Sequence, residues 1–151
     1  MAIDLIFLNK YGLVGLFIVT FISHTIIPFP SEAAIIASLI IFTPLEVFIV
    51  SLIGSTLGGL TNYYIGNKKI KGIFKRMPKT NKNAKKIFNK YGSLSILFFS
   101  SLPIIGDPLL ILAGSLEMPF WKFSVFFFIN RIFYLIIMVI FGMGINSLIG
   151  I

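Results

Sequence analysis

The apolar stretch 93–116 is long enough to cross a bilayer, yet its centre reads Pro103-Ile104-Ile105-Gly106-Asp107-Pro108. Proline removes a backbone donor and clashes with the preceding turn, so this hexapeptide ends one helix and starts another in mid-run. Backbone opened at that depth leaves N–H and C=O groups unpaired. It is tolerated only where it is buried in protein or lines a wet cavity. A plain bundle of uninterrupted spans is therefore excluded. Asp107 stands where the second helix begins, because an aspartate caps free amides and a following proline suits the first helical position. Ser31, between Pro30 and Glu32 and shortly after Pro28, makes the equivalent start earlier in the chain.

The solvent for these breaks is lipid. Of 151 residues, 57% are hydrophobic and 12% charged, and the mean hydropathy is +0.99, which excludes an ordinary soluble domain. The first apolar run, 11–27, has no basic stretch before it and no small-x-small cleavage site after it, so it is expected to stay in the mature chain. Cysteine is absent, which removes disulfides, thiol nucleophiles and thiolate metal sites. With one histidine and five acids spread singly, no metal centre and no set of nucleophile, base and orienter assembles. No catalytic residue, metal or cofactor is expected, and the chain reads as a non-enzyme.

Ten of the thirteen basic residues fall in the connector 68–90, which has no acid. Lys68, Lys69, Lys71, Lys75, Arg76, Lys85 and Lys86 are read as a topogenic signal that keeps the connector cytoplasmic in a multi-pass protein of the inner (cytoplasmic) membrane. They also suit anionic lipid headgroups, since 84–91 has the pattern of a short amphipathic helix lying on the membrane surface. Nucleic acid is not an expected partner, because no aromatic stacking platform is interleaved with the charge.

The connector separates two similar halves, repeat one at 9–66 and repeat two at 93–151, with 67–92 between them in a single membrane domain. Asn9-Lys10-Tyr11-Gly12 recurs as Asn89-Lys90-Tyr91-Gly92, and Pro28/Pro103, Glu32/Asp107, Pro44/Pro119 and Phe48/Phe123 are each 75 apart. Internal repeats are a common building plan of transporters. Each half holds an apolar run ending at a proline (11–27; 93–102), a short run after the acid (33–43; 109–118) and a full-length run (45–66; 120–142). A helix needs about 20 residues to cross about 30 Å of hydrocarbon, so the third runs span and the second do not. The first two parts of each half then read as a re-entrant hairpin, although 11–27 is also long enough for a tilted span. One crossing per half makes the repeats inverted. The expected fold is an all-α membrane protein of two inverted repeats, each a broken helical hairpin plus a transmembrane helix.

Opposed hairpins would bring two helix N-termini near the midplane, where free N–H groups suit an anion. Glu32 and Asp107 would repel that anion unless one takes up a proton, which couples protons to anion binding. Arg131, about 18 Å along the last span, needs an inward-facing partner, and Glu32 and Asp107 are the available acids. Gly54, Gly58 and Gly59 form a small-residue face for helix packing. His24 reads equally as a proton relay or a packing residue. Trp121, Tyr63, Tyr64 and Tyr134 read as interfacial anchors or core.

The stretches SHTIIPFPSEAA, GSTLGGLTNYYIGNK and LPIIGDPLLILAGSLEMPFWKF resemble the DedA family, also called the VTT or SNARE-associated domain, in its short YqaA-like branch. The resemblance runs over 23–134 outside the basic connector. It implies a polytopic inner-membrane protein with two opposed re-entrant hairpins, linked to proton-motive-force-dependent movement of lipids such as undecaprenyl phosphate; eukaryotic relatives are scramblases. The family's first-hairpin acid maps onto Glu32, and the branch's GDP motif onto Gly106, Asp107 and Pro108. The better-studied branch carries arginines at the positions of Ser100 and Gly106, which puts a phosphate clamp of that kind in question here. The expected function is a flippase-like transporter of a lipid, such as a polyprenyl phosphate or phospholipid, or of a small anion, coupled to protons. The expected partners are membrane lipids, protons and a lipid-phosphate substrate, and a homo-oligomer is compatible with the sequence. The alternative is a non-transporting, membrane-organising or chaperone-like protein.

Overall fold

The computed structural model describes residues 2–25, 31–67, 82–102 and 105–149. Helix is the only regular structure among them: α1 (Ala2–Ser23), α2 (Ser31–Ser38), α3 (Pro44–Gly66), α4 (Lys82–Tyr91), α5 (Leu94–Phe99), α6 (Gly106–Ser115) and α7 (Phe120–Ile149). Pro28, Pro30 and Pro103, expected at the hairpin tips, and Lys68, Lys69, Lys71, Lys75 and Arg76 of the connector lie outside the described residues. For Lys85 only the backbone, in α4, is described.

Among the described residues, two helices are long and apolar enough to cross a membrane, Pro44–Gly66 and Phe120–Leu148. The second runs past 142, where the apolar run was expected to end. The helix directly before each of them is short: α2 has 8 residues and α6 has 10, or about 12 and 15 Å at the helical rise. Within α1 the backbone leaves helical geometry at Gly12 (φ 56, ψ −138). Among the described residues this leaves an apolar helical stretch of Gly12–Ser23, about 18 Å long; the end of the 11–27 run lies outside them. Gly92, which closes the second Asn-Lys-Tyr-Gly, also has φ +56.

The long helices show exposed and protein-facing sides. On α3, Leu45, Ile49, Ile53, Leu57 and Tyr64 are exposed while Val47, Ser51, Ser55, Asn62 and Tyr63 are buried. On α7, Trp121, Phe133, Ile137 and Ile140 are exposed, and Phe123, Phe127, Asn130, Arg131 and Leu135 are buried. Both patterns follow the 3.6-residue period of a helix that offers one face to its own protein.

Local chemistry sets where the helices start and stop. Glu46 Oε2 accepts from the Thr43 N–H at 2.9 Å and from the Thr43 hydroxyl at 2.8 Å, while the Glu46 N–H approaches Thr43 Oγ1 at 3.4 Å. This is a capping box, with Pro44 at the first helical position of α3. At the end of α6 the Met118 N–H donates to the Ala113 carbonyl and the Glu117 N–H to that of Gly114, both at 3.1 Å. That Schellman pattern needs a left-handed residue, supplied here by Glu117 at φ 55. A side chain there is strained. Glu117→Gly is therefore expected to raise stability by about 0.5–1 kcal/mol, read as a higher melting temperature of the purified protein.

The start of α6 departs from expectation. The helix begins at Gly106 and its N-cap is Ile105, with no side-chain cap hydrogen bond. Asp107 lies inside the first turn rather than capping it, because its carboxylate accepts from another helix instead.

The chain divides into two compact units, Met1–Gly58 with Ile132–Ile151, and Gly59–Arg131. In the first, Leu16, Ile35, Val47 and Leu135 form the core. A methyl at Gly54 would overlap Thr20 and approach the Phe17 carbonyl, and one at Gly58 would press on the Phe21 carbonyl and His24, so α1 and the first half of α3 touch backbone to backbone. A methyl at Gly142, on α7, would meet Leu39 and Ile36 at the end of α2. In the second unit, Tyr63, Ile96, Leu110, Ala113, Met118, Phe123 and Phe127 form the core, with Phe88 of α4 packed against it. Tyr63 stacks on Phe123 at 4.4 Å and donates its hydroxyl proton to the Met118 carbonyl at 2.5 Å. Methyls at Gly66 and Gly114 would overlap the carbonyls of Ile111 and Tyr63 respectively, so the ends of α3 and α6 are in reciprocal backbone contact. Gly59 leaves room for the Phe127 ring.

Candidate functional site: two carboxylates and their donors

Glu32 sits in the first turn of α2 and Asp107 in the first turn of α6. Both are partly buried. Glu32 Oε1 accepts the hydroxyl proton of Tyr134, on α7, at 2.8 Å. Asp107 Oδ1 accepts from Asn62 Nδ2, on α3, at 3.1 Å, and Asn62 is fully buried. Each acid of a short helix is thus held by a neutral donor from a long apolar one. Hydrogen bonds to an ionised acceptor are about twice as strong as neutral ones, so these contacts orient the carboxyl groups firmly.

Arg131 is 1% exposed, and its guanidinium carbon lies 5.7 Å from the centroid of the Phe127 ring, a cation-π arrangement that helps accommodate a charge away from water. Its neighbour Asn130 accepts from Ser100 Oγ at 2.8 Å and from Ser101 Oγ at 2.5 Å, and donates to the Leu97 carbonyl at 2.7 Å. This network ties the end of α5 to α7 about 15 Å along the latter, deep in the apolar segment.

The same region answers the question of the two arginines. Ser100 Oγ is committed to Asn130. At 106 a side chain has no room, because a methyl would overlap the Ser100 carbonyl oxygen, and the Gly106 N–H donates to the Leu102 carbonyl at 2.8 Å. An arginine at 106, and with it the pair, is incompatible with this backbone. The glycine is there because two backbones touch.

Of the residues expected to gather, Asp107 and Arg131 belong to one compact unit and Glu32 to the other. Pro108 lies in the first turn of α6, and Ser31, which opens α2, is buried. Gly54 and Gly58 face α1, and Gly59 faces Phe127. Lys86 is exposed on α4. His24 places Nδ1 2.9 Å from the Thr20 carbonyl, a local contact within its own helix end. Sequence reasoning missed Asn62, Asn130, Ser100 and Ser101, and took Tyr134 for an anchor or core residue. A signal was present for Asn62: it follows Ser51, Ser55 and Gly58 at helical spacing on the inner face of a spanning run. Among the described residues no group of three or more His, Cys, Asp or Glu side chains is placed to hold a metal.

The model of the VTT domain matches residues 29–144. The inner membrane protein YqaA of Escherichia coli is 32% identical over 121 residues, covering 77% of this chain and 80% of that protein. An uncharacterized protein of Methanocaldococcus jannaschii is 28% identical over 128 residues, 83% of this chain and 80% of the other. An alkaline phosphatase-like protein of Lactococcus lactis is more distant, 26% identical over 157 residues, 93% of this chain and 73% of that protein. No solved structure matches. An inner-membrane relative and two helices of spanning length make the chain a membrane protein.

Proposed function

We propose, from the premise that the chain belongs to the VTT-domain (DedA) family, that it moves a lipid or small anion across the bilayer in a proton-coupled manner. The observation that carries this reading is the pair of intramembrane carboxylates, each opening a helix too short to span and each held by a polar donor from a spanning helix. Ionisable groups at membrane depth are costly and are functional by default. A carboxylate that exchanges protons there provides the coupling, and the Arg131 guanidinium provides attraction for an anionic headgroup.

The re-entrant, inverted-repeat arrangement belongs to this reading, and depth along the long helices supports it. In one unit α1 meets α3 at Gly54 and Gly58 and reaches its end there. In the other, α5 ends beside Asn130, while the residues after α6 return to Tyr63 near the end of α3. The positive-inside rule supports a cytoplasmic side for the basic connector that separates the two long helices.

The test is reconstitution in liposomes with a fluorescent lipid phosphate whose accessibility to an outside quencher is followed with and without a pH gradient. The expected result is faster equilibration of the probe than in protein-free liposomes, with a rate that responds to the gradient. Probe movement no faster than in empty vesicles, from a folded protein, would instead support the membrane-organising alternative.

A further inference from the structure

Both acids find their donors on the long helix of the other sequence half. Glu32, from the first half, accepts from Tyr134 on α7. Asp107, from the second half, accepts from Asn62 on α3. The steric contacts repeat this exchange: α6 lies against α3 through Gly66 and Gly114, and α2 lies against α7 through Gly142. The first hairpin helices do the opposite and pack on the long helix of their own half, α1 on α3 at Gly54 and Gly58 and α5 on α7 at Asn130. Two hydrogen bonds and three glycine contacts, in separate compact units, therefore describe one rule.

We propose that Asn62 and Tyr134 are positioning residues for the two carboxylates, and that each bond is a latch tying the acid-bearing helix of one half to the long helix of the other. The inference deepens the transport reading above: a carboxyl that changes its charge changes the strength with which its donor holds it, and the element released is a whole short helix. A neutral donor suits this task. A lysine or arginine in its place would bind the carboxylate too strongly to let go, whereas Asn and Tyr lose much of their hold once the acceptor is neutral. Tyr134 and Asn62 differ in shape and type and have in common a single donated hydrogen, which points to the hydrogen bond rather than to packing as the shared property.

The test reads the carboxyl groups directly. Full-length protein in nanodiscs is treated with dicyclohexylcarbodiimide, which modifies carboxyl groups in apolar surroundings, and adduct formation at Glu32 and Asp107 is followed by peptide mass spectrometry. Asn62→Leu and Tyr134→Phe remove the donor while keeping the branching of the side chain. The expected pattern is crossed: Asn62→Leu speeds modification of Asp107 about tenfold and leaves Glu32 at the wild-type rate, and Tyr134→Phe does the reverse. Should Asn62→Leu fail to fold, Asn62→Ser withdraws the donor from reach while staying polar, and the same pattern is expected of it. Unchanged rates at both acids overturn the inference, as does a rise at both acids in each variant, which is general loosening. The crossed pattern in a protein that moves no lipid leaves the latches standing and removes the transport reading. Transport without the pattern removes the latches alone.

Discussion

Gly66→Ala and Gly114→Ala are each expected to deplete the membrane of folded protein. In both cases the new methyl would overlap a carbonyl oxygen of the facing helix, Ile111 for one and Tyr63 for the other. Backbone cannot rotate aside as a side chain does, so relief requires α3 and α6 to separate along their contact. Overpacking a well-filled core costs about 1–3 kcal/mol and occasionally more. These two substitutions belong at the upper end, because separation also strains the Tyr63 hydroxyl bond to the Met118 carbonyl and the Asn62 bond to Asp107. Thermal unfolding of the purified variants measures the loss. Gly144→Ala is the control: a methyl there meets nothing within 4 Å, and its melting temperature is expected to match that of the unsubstituted protein.

Asp107→Asn and Glu32→Gln should have the opposite profile, leaving the fold and abolishing the response of transport to a pH gradient. The amide oxygen that replaces each carboxylate oxygen still accepts from Asn62 or Tyr134, so neither donor is left buried and unsatisfied. The stability change is expected to stay near the weakening of one hydrogen bond, about 1 kcal/mol. Asp107→Leu, which leaves the fully buried Asn62 amide without this acceptor, should cost about 1–3 kcal/mol. Probe equilibration in liposomes at several imposed gradients checks the transport side. A gradient response that survives in Asp107→Asn, Glu32→Gln and the double variant would remove protons at these acids from the mechanism.

The features legible in the sequence are those governed by a few neighbouring residues. Run length separated α3 and α7 from the short helices because crossing hydrocarbon is a matter of length alone. Prolines and acids located the starts of α2 and α6 to within a residue or two, since helix initiation is local chemistry. The basic helix 84–91 was readable for the same reason and appears as α4 (Lys82–Tyr91). The partners were not legible. Asn62 reaches a residue 45 positions away and Tyr134 one 102 positions away, and nothing in either residue's own surroundings reveals a partner at that distance. Tyr134 illustrates the difficulty: a tyrosine in a spanning run suits an interfacial anchor as well as a donor, and only its place opposite Glu32 decides. Asp107 misled for a related reason. Beside a proline it has the composition of a cap, but a distant amide competes for its oxygens, and the helix starts two residues earlier, capped at Ile105.

The recurring Asn-Lys-Tyr-Gly has a consequence beyond the resemblance of the two halves. Gly12 and Gly92 both adopt φ +56, yet a methyl at Gly92 would touch nothing and one at Gly12 would meet only the tip of the Phe42 ring at ordinary van der Waals distance. What excludes other residues at these corners is chirality, since only a residue without a Cβ takes this dihedral cheaply. The direction in which the chain turns into each apolar segment that follows is therefore written in a single torsion that no neighbouring side chain enforces. A substitution at either glycine would meet no steric obstacle from its neighbours and would still strain the corner from which the next helix sets out.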